Sequence, residues 1–175
     1  MDMGIFKDYL KSGRNNYVTE AGTYICKLDK IIRKEDLEND TIILVFNTNK
    51  RIDKKQFIDI GNNEIILKFN FYNKTQNAIS FFIKVILSIM NALGGNTSEV
   101  EKECLNIIEN INNLDDLKKE IEKLNKKYNK FVEIDIDRKE YNGKVFYAPD
   151  YTKDFIRFYN DIVNIDNITE DDLPF

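Results

Sequence analysis

The feature that most constrains the fold is a nearly all-round apolar helical pattern that separates two groups of strand patterns. From Ala78 to Leu93, apolar residues recur every three or four positions, with the capping residue Thr75 before them and Gly94 after them. A membrane span is the alternative, but the uninterrupted apolar stretch is too short for one and Lys84 lies near its centre. We therefore expect a helix of about five turns that closes a hydrophobic core.

Strand patterns precede and follow this helix. Residues 22–33 alternate, residues 41–46 are apolar on both faces, and residues 64–72 alternate after a basic segment that we interpret as a loop feeding a hairpin. Two shorter helical patterns cover about residues 97–129, and residues 131–138 return to period two. Asn142-Gly143 then predicts a type I′ hairpin with a returning strand over 144–147, and we expect a short helix through Phe155, Phe158 and Tyr159.

This order of elements predicts an α+β fold that is mainly a β-barrel with added helices. A five-stranded OB-fold barrel places its helix between strands three and four and binds oligonucleotides across strands two and three. We expect this fold in residues 1–160, with residues 97–129 as an inserted helical hairpin. The two short helices can pack on the core or form a seam with a second copy, so a homo-oligomer stays open.

Charge is unevenly distributed along the chain. Residues 161–175 contain five acidic residues and no Lys or Arg, and removing them from the net charge of -4 leaves +1 on residues 1–160. The acidic composition therefore does not exclude a nucleic-acid-binding face. We expect residues 161–175 to form a flexible acidic interaction tail.

The tail finishes with Asp171, Asp172, Leu173, Pro174 and Phe175. Proline cannot complete a helix and restricts the residue before it, which predicts an extended segment suited to a partner's basic-rimmed apolar pocket. The segment resembles the acidic tip, Asp-Asp-Asp-Ile-Pro-Phe in its common form, of bacterial and phage single-stranded DNA-binding proteins. Glu170 stands for the first Asp and Leu173 for Ile. An ordinary solvated acidic tail is the alternative.

The body is also similar to phage-encoded OB-fold proteins. These open with an Ala-Gly-Thr-Tyr strand, here residues 21–24, and close with a Tyr-x-Gly-Lys hairpin, here Tyr141, Gly143 and Lys144. The resemblance implies that residues 1–160 bind single-stranded DNA and that residues 171–175 bind replication or recombination enzymes. The helices over 97–129 have no counterpart in the simplest members.

Sequence-tolerant capture of a single strand requires aromatic rings for the bases and cations for the phosphates. Candidates on the first strand and in the basic segment are Lys27, Lys30, Arg33, Lys50, Arg51, Lys54, Lys55 and Phe57. Candidates on the third strand and the last hairpin are Lys68, Tyr72, Arg138, Lys139, Tyr141, Lys144 and Tyr147. Alternatives stay open, because the basic segment can be a solvated turn and Tyr141 a cross-strand packing residue, while Phe69 and Phe71 fit the core better.

Enzymatic chemistry has little support in the composition. The chain contains no histidine, and its two cysteines, Cys26 and Cys104, lie far apart, so we expect free thiols and neither a disulfide nor a zinc site. Asp135 with Asp137 could hold Mg²⁺, but a solvated strand face explains that pair better. We predict no enzyme activity and no cofactor.

The leading hypothesis is a non-enzymatic, sequence-tolerant single-stranded DNA-binding protein of phage or plasmid replication, recombination or repair. We expect it in the bacterial host cytoplasm and away from membranes, with the tail recruiting partner enzymes. The alternative is an adaptor or inhibitor that uses the tail to engage replication or repair enzymes without holding DNA.

Overall fold

Seven strands and three helices make up the described part of the chain, residues 16–160 of a computed structural model. The helices are α1 (Gln76–Leu93), α2 (Ser98–Asn110) and α3 (Leu114–Tyr128). The strands are β1 (Asn16–Tyr17), β2 (Gly22–Glu35), β3 (Asp40–Asp53), β4 (Gln56–Asn70), β5 (Val132–Tyr141), β6 (Lys144–Ala148) and β7 (Ile156–Phe158). The predicted α+β class is therefore confirmed.

The strands form one mostly antiparallel sheet in the order β1-β4-β3-β2-β5-β6. Only β1 runs parallel to its neighbour, β4, and β7 pairs with the first half of β5 while β6 pairs with the second half. Among residues 16–160 no backbone pairing joins β6 or β7 to β4, so the sheet is open. Its two ends nevertheless approach each other. Tyr151, between β6 and β7, packs on Phe69 of β4 with the ring centroids 5.3 Å apart.

The core lies between the inner face of this sheet and the three helices. Alternate residues of β3, among them Leu44 and Phe46, are fully buried and pair with Leu67 and Ile65 of β4. Helix α1 begins at its cap Thr75, whose hydroxyl accepts a hydrogen bond from the Ala78 amide, and buries one apolar face against the sheet. Each large aliphatic side chain buried in this way contributes about 1.5–3 kcal/mol.

Helix α1 is the segment for which a membrane span was the alternative. By length and composition it could cross a membrane, with a mean hydropathy of 1.4 over 18 residues. Core helices pass the same test, and this one buries Ile86, Ile89 and Leu93 completely while Lys84 and Ser88 remain exposed on its other side. The helix is amphipathic in context and closes the core, as predicted.

The inserted helices pack on the core as well. Leu117 and Ile121 of α3 are fully buried, and α3 is also fixed to β2 by the Asn125 amide, which donates to the Leu28 carbonyl at 3.2 Å. Of the two open interpretations of this segment, core packing is the one confirmed. Leu105 of α2, in contrast, is 45% exposed.

The basic segment is not a loop as predicted. Residues 47–53 continue β3, Gln56 begins β4, and only Lys54 and Lys55 form the turn, both with positive φ, at 49° and 64°. Residues 60–62 form a bulge inside β4, because Thr48 pairs with Asn63 and Lys50 with Asp59, which leaves these residues opposite Asn49 alone. The basic residues therefore lie on a paired hairpin rather than in a loop.

The helix predicted through Phe155, Phe158 and Tyr159 is also wrong, because Ile156–Phe158 forms strand β7. Its backbone pairs with the open edge of β5, and the Tyr159 amide donates to the Phe131 carbonyl at 3.0 Å. The preceding turn is fixed by Asp150, whose carboxylate accepts from the Thr152 amide and hydroxyl. The spacing of the three aromatic residues predicts a helix, but pairing with the open edge of β5 makes this segment a strand.

Candidate functional site

The outer face of the sheet, opposite the helices, carries a polar groove of about 830 Å³. Strands β2 and β3 form its floor, and β4 and the chain around residues 131 and 159 border it. Its lining comprises Ile25, Lys27, Leu28, Asp29, Asn47, Thr48, Asn49, Lys50, Phe57, Asn62, Asn63, Phe131 and Tyr159. Three of these, Lys27, Lys50 and Phe57, belong to the predicted DNA-binding set.

Irregular pairing along the floor shapes the groove. The register between β2 and β3 shifts at Ile25/Cys26, and that between β3 and β4 shifts at Thr48/Lys50. The Thr48 side chain, 4% exposed, donates its hydroxyl to the Ile25 carbonyl at 2.7 Å. Because bulges bend strands and re-aim side chains, these shifts turn the distal half of the β3–β4 hairpin relative to the floor.

Two lysine–aromatic pairs form the sides of the groove. The Lys50 ammonium lies 5.9 Å from the centre of the Phe57 ring, and the Lys27 ammonium lies 5.2 Å from that of Phe131. Both phenylalanines are 46% exposed, so each retains an open ring surface. Tyr159 meets Phe57 edge to face, with centroids 6.5 Å apart. The groove thus combines aromatic surface with positive charge, which suits a ligand with both rings and anionic groups.

The electrostatics of the described chain are balanced overall. Residues 16–160 contain equal numbers of basic and acidic residues. The groove itself has two lysines and one carboxylate, Asp29, together with four asparagines. Positive charge in the groove is therefore modest, and amide groups supply most of its hydrogen-bonding capacity.

Other predicted residues lie outside the groove. Lys30 and Lys68 are exposed on the same face, where Lys30 pairs with Val45 of β3 and Lys68 with Ile43. Lys54 and Lys55 are exposed at the tip of the β3–β4 hairpin. Tyr72, 46% exposed, follows the far end of β4.

Two predicted arginines are engaged elsewhere. Arg33 lies on the helix side of the sheet, where it contacts Asp40 at 2.6 Å and Asp115 at 3.4 Å. Arg51 contacts Glu20 at 3.0 Å, and only 15% of its side chain is exposed. Their charges are compensated by carboxylates, so neither arginine is available as a free cation for the groove.

The β5–β6 hairpin presents its predicted residues on a separate surface. Tyr141 is 70% exposed beside the Asn142-Gly143 turn, whose positive φ values agree with the predicted type I′ geometry. Tyr141 is nine residues along β5 from Val132, roughly 30 Å from the groove end of that strand. The other predicted residues of this hairpin are Arg138, Lys139, Lys144 and the half-buried Tyr147.

Sequence reasoning missed the remaining groove residues. The sequence predicts Phe131 at the start of a strand and Tyr159 in a helix, whereas Phe131 precedes β5 and Tyr159 follows β7. Asn47, Asn49 and Asn62 were treated as loop or turn residues. One signal for β7 was present, because Arg157 between two apolar residues complements the acidic residues Glu133 and Asp135 on β5.

Of the pair considered for Mg²⁺, Asp135 with Asp137, the first has a structural partner. The Arg157 guanidinium donates two hydrogen bonds of 2.9 Å to Asp135 and one of 2.8 Å to Glu133, and the Thr23 hydroxyl donates to Asp135 at 2.7 Å. Partial burial acts to raise the pKa of Asp135, but these hydrogen bonds outweigh it and hold the pKa below its usual value. Within residues 16–160 no group of three or more acidic or cysteine side chains could hold a metal ion.

The two cysteines are free and buried. Burial raises the pKa of the Cys104 thiol to about 11 and that of Cys26 above its usual value, so both thiols are protonated at neutral pH. A protonated buried thiol is a poor nucleophile.

The predicted partner-binding residues 171–175 lie outside the described residues. No model of a known protein family matches the chain, and a search of curated proteins finds no significant match.

Proposed function

We propose that this protein binds single-stranded DNA in the groove on the outer face of its sheet. The observation that carries the proposal is the pair of half-exposed phenylalanines, Phe57 and Phe131, each with a lysine ammonium over its ring. Bases stack on open aromatic rings, and a neighbouring ammonium neutralises the phosphate that follows each base. Duplex DNA buries its base faces, so it cannot use such rings.

The order of the strands supports an OB-type barrel as the underlying fold. Strands β2 to β6 would serve as its five strands, with α1 between the third and fourth. In the observed order β4-β3-β2-β5-β6 the first strand lies between the second and the fourth, and the pairing that would close the barrel, between β4 and β6, is absent from residues 16–160. In OB folds the second and third strands, here β3 and β4, face the oligonucleotide. The groove lies against both of these strands.

Lysines beyond the groove give the DNA backbone a path across the sheet. Lys30 and Lys68 share the outer face with Lys27, and Lys54 and Lys55 extend the hairpin that carries Lys50. A single OB fold occupies about 4–16 nucleotides, which spans this set of cations. Affinity should fall with salt in proportion to the phosphates that these lysines neutralise.

The biological role that fits this chemistry is non-enzymatic coating of single strands during phage or plasmid DNA replication, recombination or repair, in a bacterial cytoplasm. The acidic segment 166–175 would recruit partner enzymes through Asp171, Asp172, Leu173, Pro174 and Phe175, as its resemblance to the tips of single-stranded DNA-binding proteins implies. No membrane or cofactor takes part.

Fluorescence anisotropy with labelled poly-dT of about 30 nucleotides tests the proposal. We expect salt-sensitive binding that duplex DNA does not displace. The Lys27→Ala/Lys50→Ala variant should bind more weakly and with a salt slope smaller by about 1.4, because each phosphate contact on a single strand contributes roughly 0.7. A matched control is Lys84→Ala/Lys119→Ala on the helices, whose lysines are exposed and do not line the groove.

Failure of the wild-type protein to bind any single strand would contradict the proposal. The tail-mediated adaptor would then be the better account, provided that the protein still captured a replication or repair enzyme through residues 171–175. Equal losses in both lysine variants would place the binding surface outside the groove.

A further inference from the structure

We propose that the groove contacts the edges of bases, so that the protein binds some bases more tightly than others instead of coating all single strands equally. The inference rests on the proposed function and concerns the same groove. The inference is based on three asparagines of the groove, Asn47, Asn49 and Asn62.

All three side chains are exposed and line the groove. Within residues 16–160, none of them makes a side-chain hydrogen bond to another part of the protein. Each amide therefore offers a donor and an acceptor side by side to a ligand. Base edges present donors and acceptors in adjacent pairs, and asparagine can engage such a pair with two hydrogen bonds.

A fourth groove asparagine, Asn63, has a structural role in the same part of the groove. The Asn63 amide donates to the carbonyls of Ile60 and Gly61 at 3.0 and 3.2 Å, and the residue is only 9% exposed. It stabilises the bulge of β4. Asn49 and Asn62 lie at the same irregular stretch of β3 and β4 but make no such bonds, so the local backbone does not require their amides.

The charge of the groove also favours contacts with bases over contacts with phosphates alone. A protein that binds all single strands equally depends mainly on phosphate contacts, which do not vary with the base sequence. This groove has only Lys27 and Lys50 as cations, and Asp29 opposes them. Contacts with bases must therefore supply a large share of the affinity, through the phenylalanine rings and the asparagine amides.

The amides line the same groove as the two lysine–aromatic pairs, which favours their contact with the edge of a stacked base. Asn47 pairs with Lys27 across β2 and β3, so its side chain projects from the same face as the Lys27–Phe131 pair. Asn49 precedes Lys50 of the second pair. A base stacked on either ring would lie within the groove that these amides also line.

The test compares the full-length protein with its Asn47→Ala/Asn49→Ala/Asn62→Ala variant on labelled poly-dA, poly-dC, poly-dT and an abasic oligonucleotide of equal length. We expect affinities of the wild type to differ by about tenfold between homopolymers. In the variant this spread should shrink to about twofold while binding persists. Stacking strength also differs between bases, and because the variant keeps both phenylalanines it isolates the amide contribution.

Control substitutions at Asn77 and Asn112, exposed asparagines outside the groove, should leave the spread unchanged. Thermal unfolding of each variant checks that the fold is intact. Equal wild-type affinity for all homopolymers, or equal affinity for the abasic strand, would overturn the inference while leaving single-strand binding in place. A spread that survives in the triple variant would overturn the role of these asparagines, and no binding to any strand would overturn the proposed function itself.

Discussion

At the scale of single residues, Arg157 makes three side-chain hydrogen bonds, all to carboxylates of β5. Its guanidinium joins β7 to β5 through Glu133 and Asp135. The carboxylates hold its pKa above the ordinary value, since the hydrogen bonds that it donates to Asp135 outweigh the effect of burial. Arg157 therefore stabilises the strand that carries Tyr159 into the groove.

Replacing Arg157 by Gln should lower the free energy of unfolding at pH 7 by about 1 kcal/mol, because the bidentate pair is partly exposed and screened. Urea denaturation measures the change. An unchanged midpoint would show that β7 is held by Ile156 and backbone pairing alone.

The same pair predicts the effect of acid. The pKa of Asp135 is lowered in the folded state, so its contribution to stability is present above the ordinary aspartate pKa and is lost as pH falls through the folded value. Between about pH 5 and pH 2, the wild type should therefore lose more stability than Arg157→Gln, in which the lowered pKa is largely relieved. Parallel losses in both proteins would contradict this assignment.

At the scale of elements, the bulges of β2, β3 and β4 shape the groove. Two buried threonines of β3 differ in what their hydroxyls do. Thr48 satisfies the Ile25 carbonyl at the register shift, whereas the Thr41 hydroxyl is buried without a hydrogen-bond partner among the described residues. The same isosteric substitution therefore has opposite expected results at these two positions.

Thr48→Val should cost about 1–3 kcal/mol, because it leaves the buried Ile25 carbonyl unsatisfied. Thr41→Val should be neutral or stabilising, since no bond is lost and a buried unpaired hydroxyl is removed. Chemical denaturation of both variants makes the comparison. Equal destabilisation would show that the hydrogen bond at the bulge is not what holds it.

Elements with strong periodicity could be predicted from the sequence, and those set by pairing could not. The apolar face of α1, the alternation of β5 and the Asn142-Gly143 turn depend on neighbouring residues, so pattern alone locates them. The bulge at residues 60–62 depends on the register of a partner strand, and its Gly61-Asn62 looks like a turn when read alone. Strand β7 depends on the open edge of β5, which no local pattern reveals.

The candidate site was predictable only in part for the same reason. Lys27, Lys50 and Phe57 were selected because they lie on strands or beside a basic cluster. Phe131 and Tyr159 enter the groove through the curvature of the sheet and the pairing of β7, both of which are long-range. Arg33 and Arg51 were selected for charge, but their carboxylate partners lie elsewhere in the sequence.

At the scale of the whole molecule, charge differs between a balanced body and an acidic C-terminal segment. Residues 16–160 carry no net charge, and residues 161–175 carry only acidic side chains among their charged residues. Like charges on the segment and on DNA would repel each other, which favours a protein partner for the segment. Substituting Asp171 and Asp172 by Asn should therefore leave DNA affinity equal or higher, whereas Lys27→Ala/Lys50→Ala lowers it.

The most direct test of the account is photo-crosslinking of the full-length protein to poly-dT in which 5-bromodeoxyuridine replaces some thymidines, with the attached residues identified by mass spectrometry. The account predicts attachment at Phe57, Phe131 or Tyr159, the aromatic residues of the groove. Tyr72 and Tyr141, which are at least as exposed as Phe57 but lie outside the groove, provide the internal comparison. Attachment confined to those two tyrosines, or no attachment at all, would contradict single-strand binding in the groove.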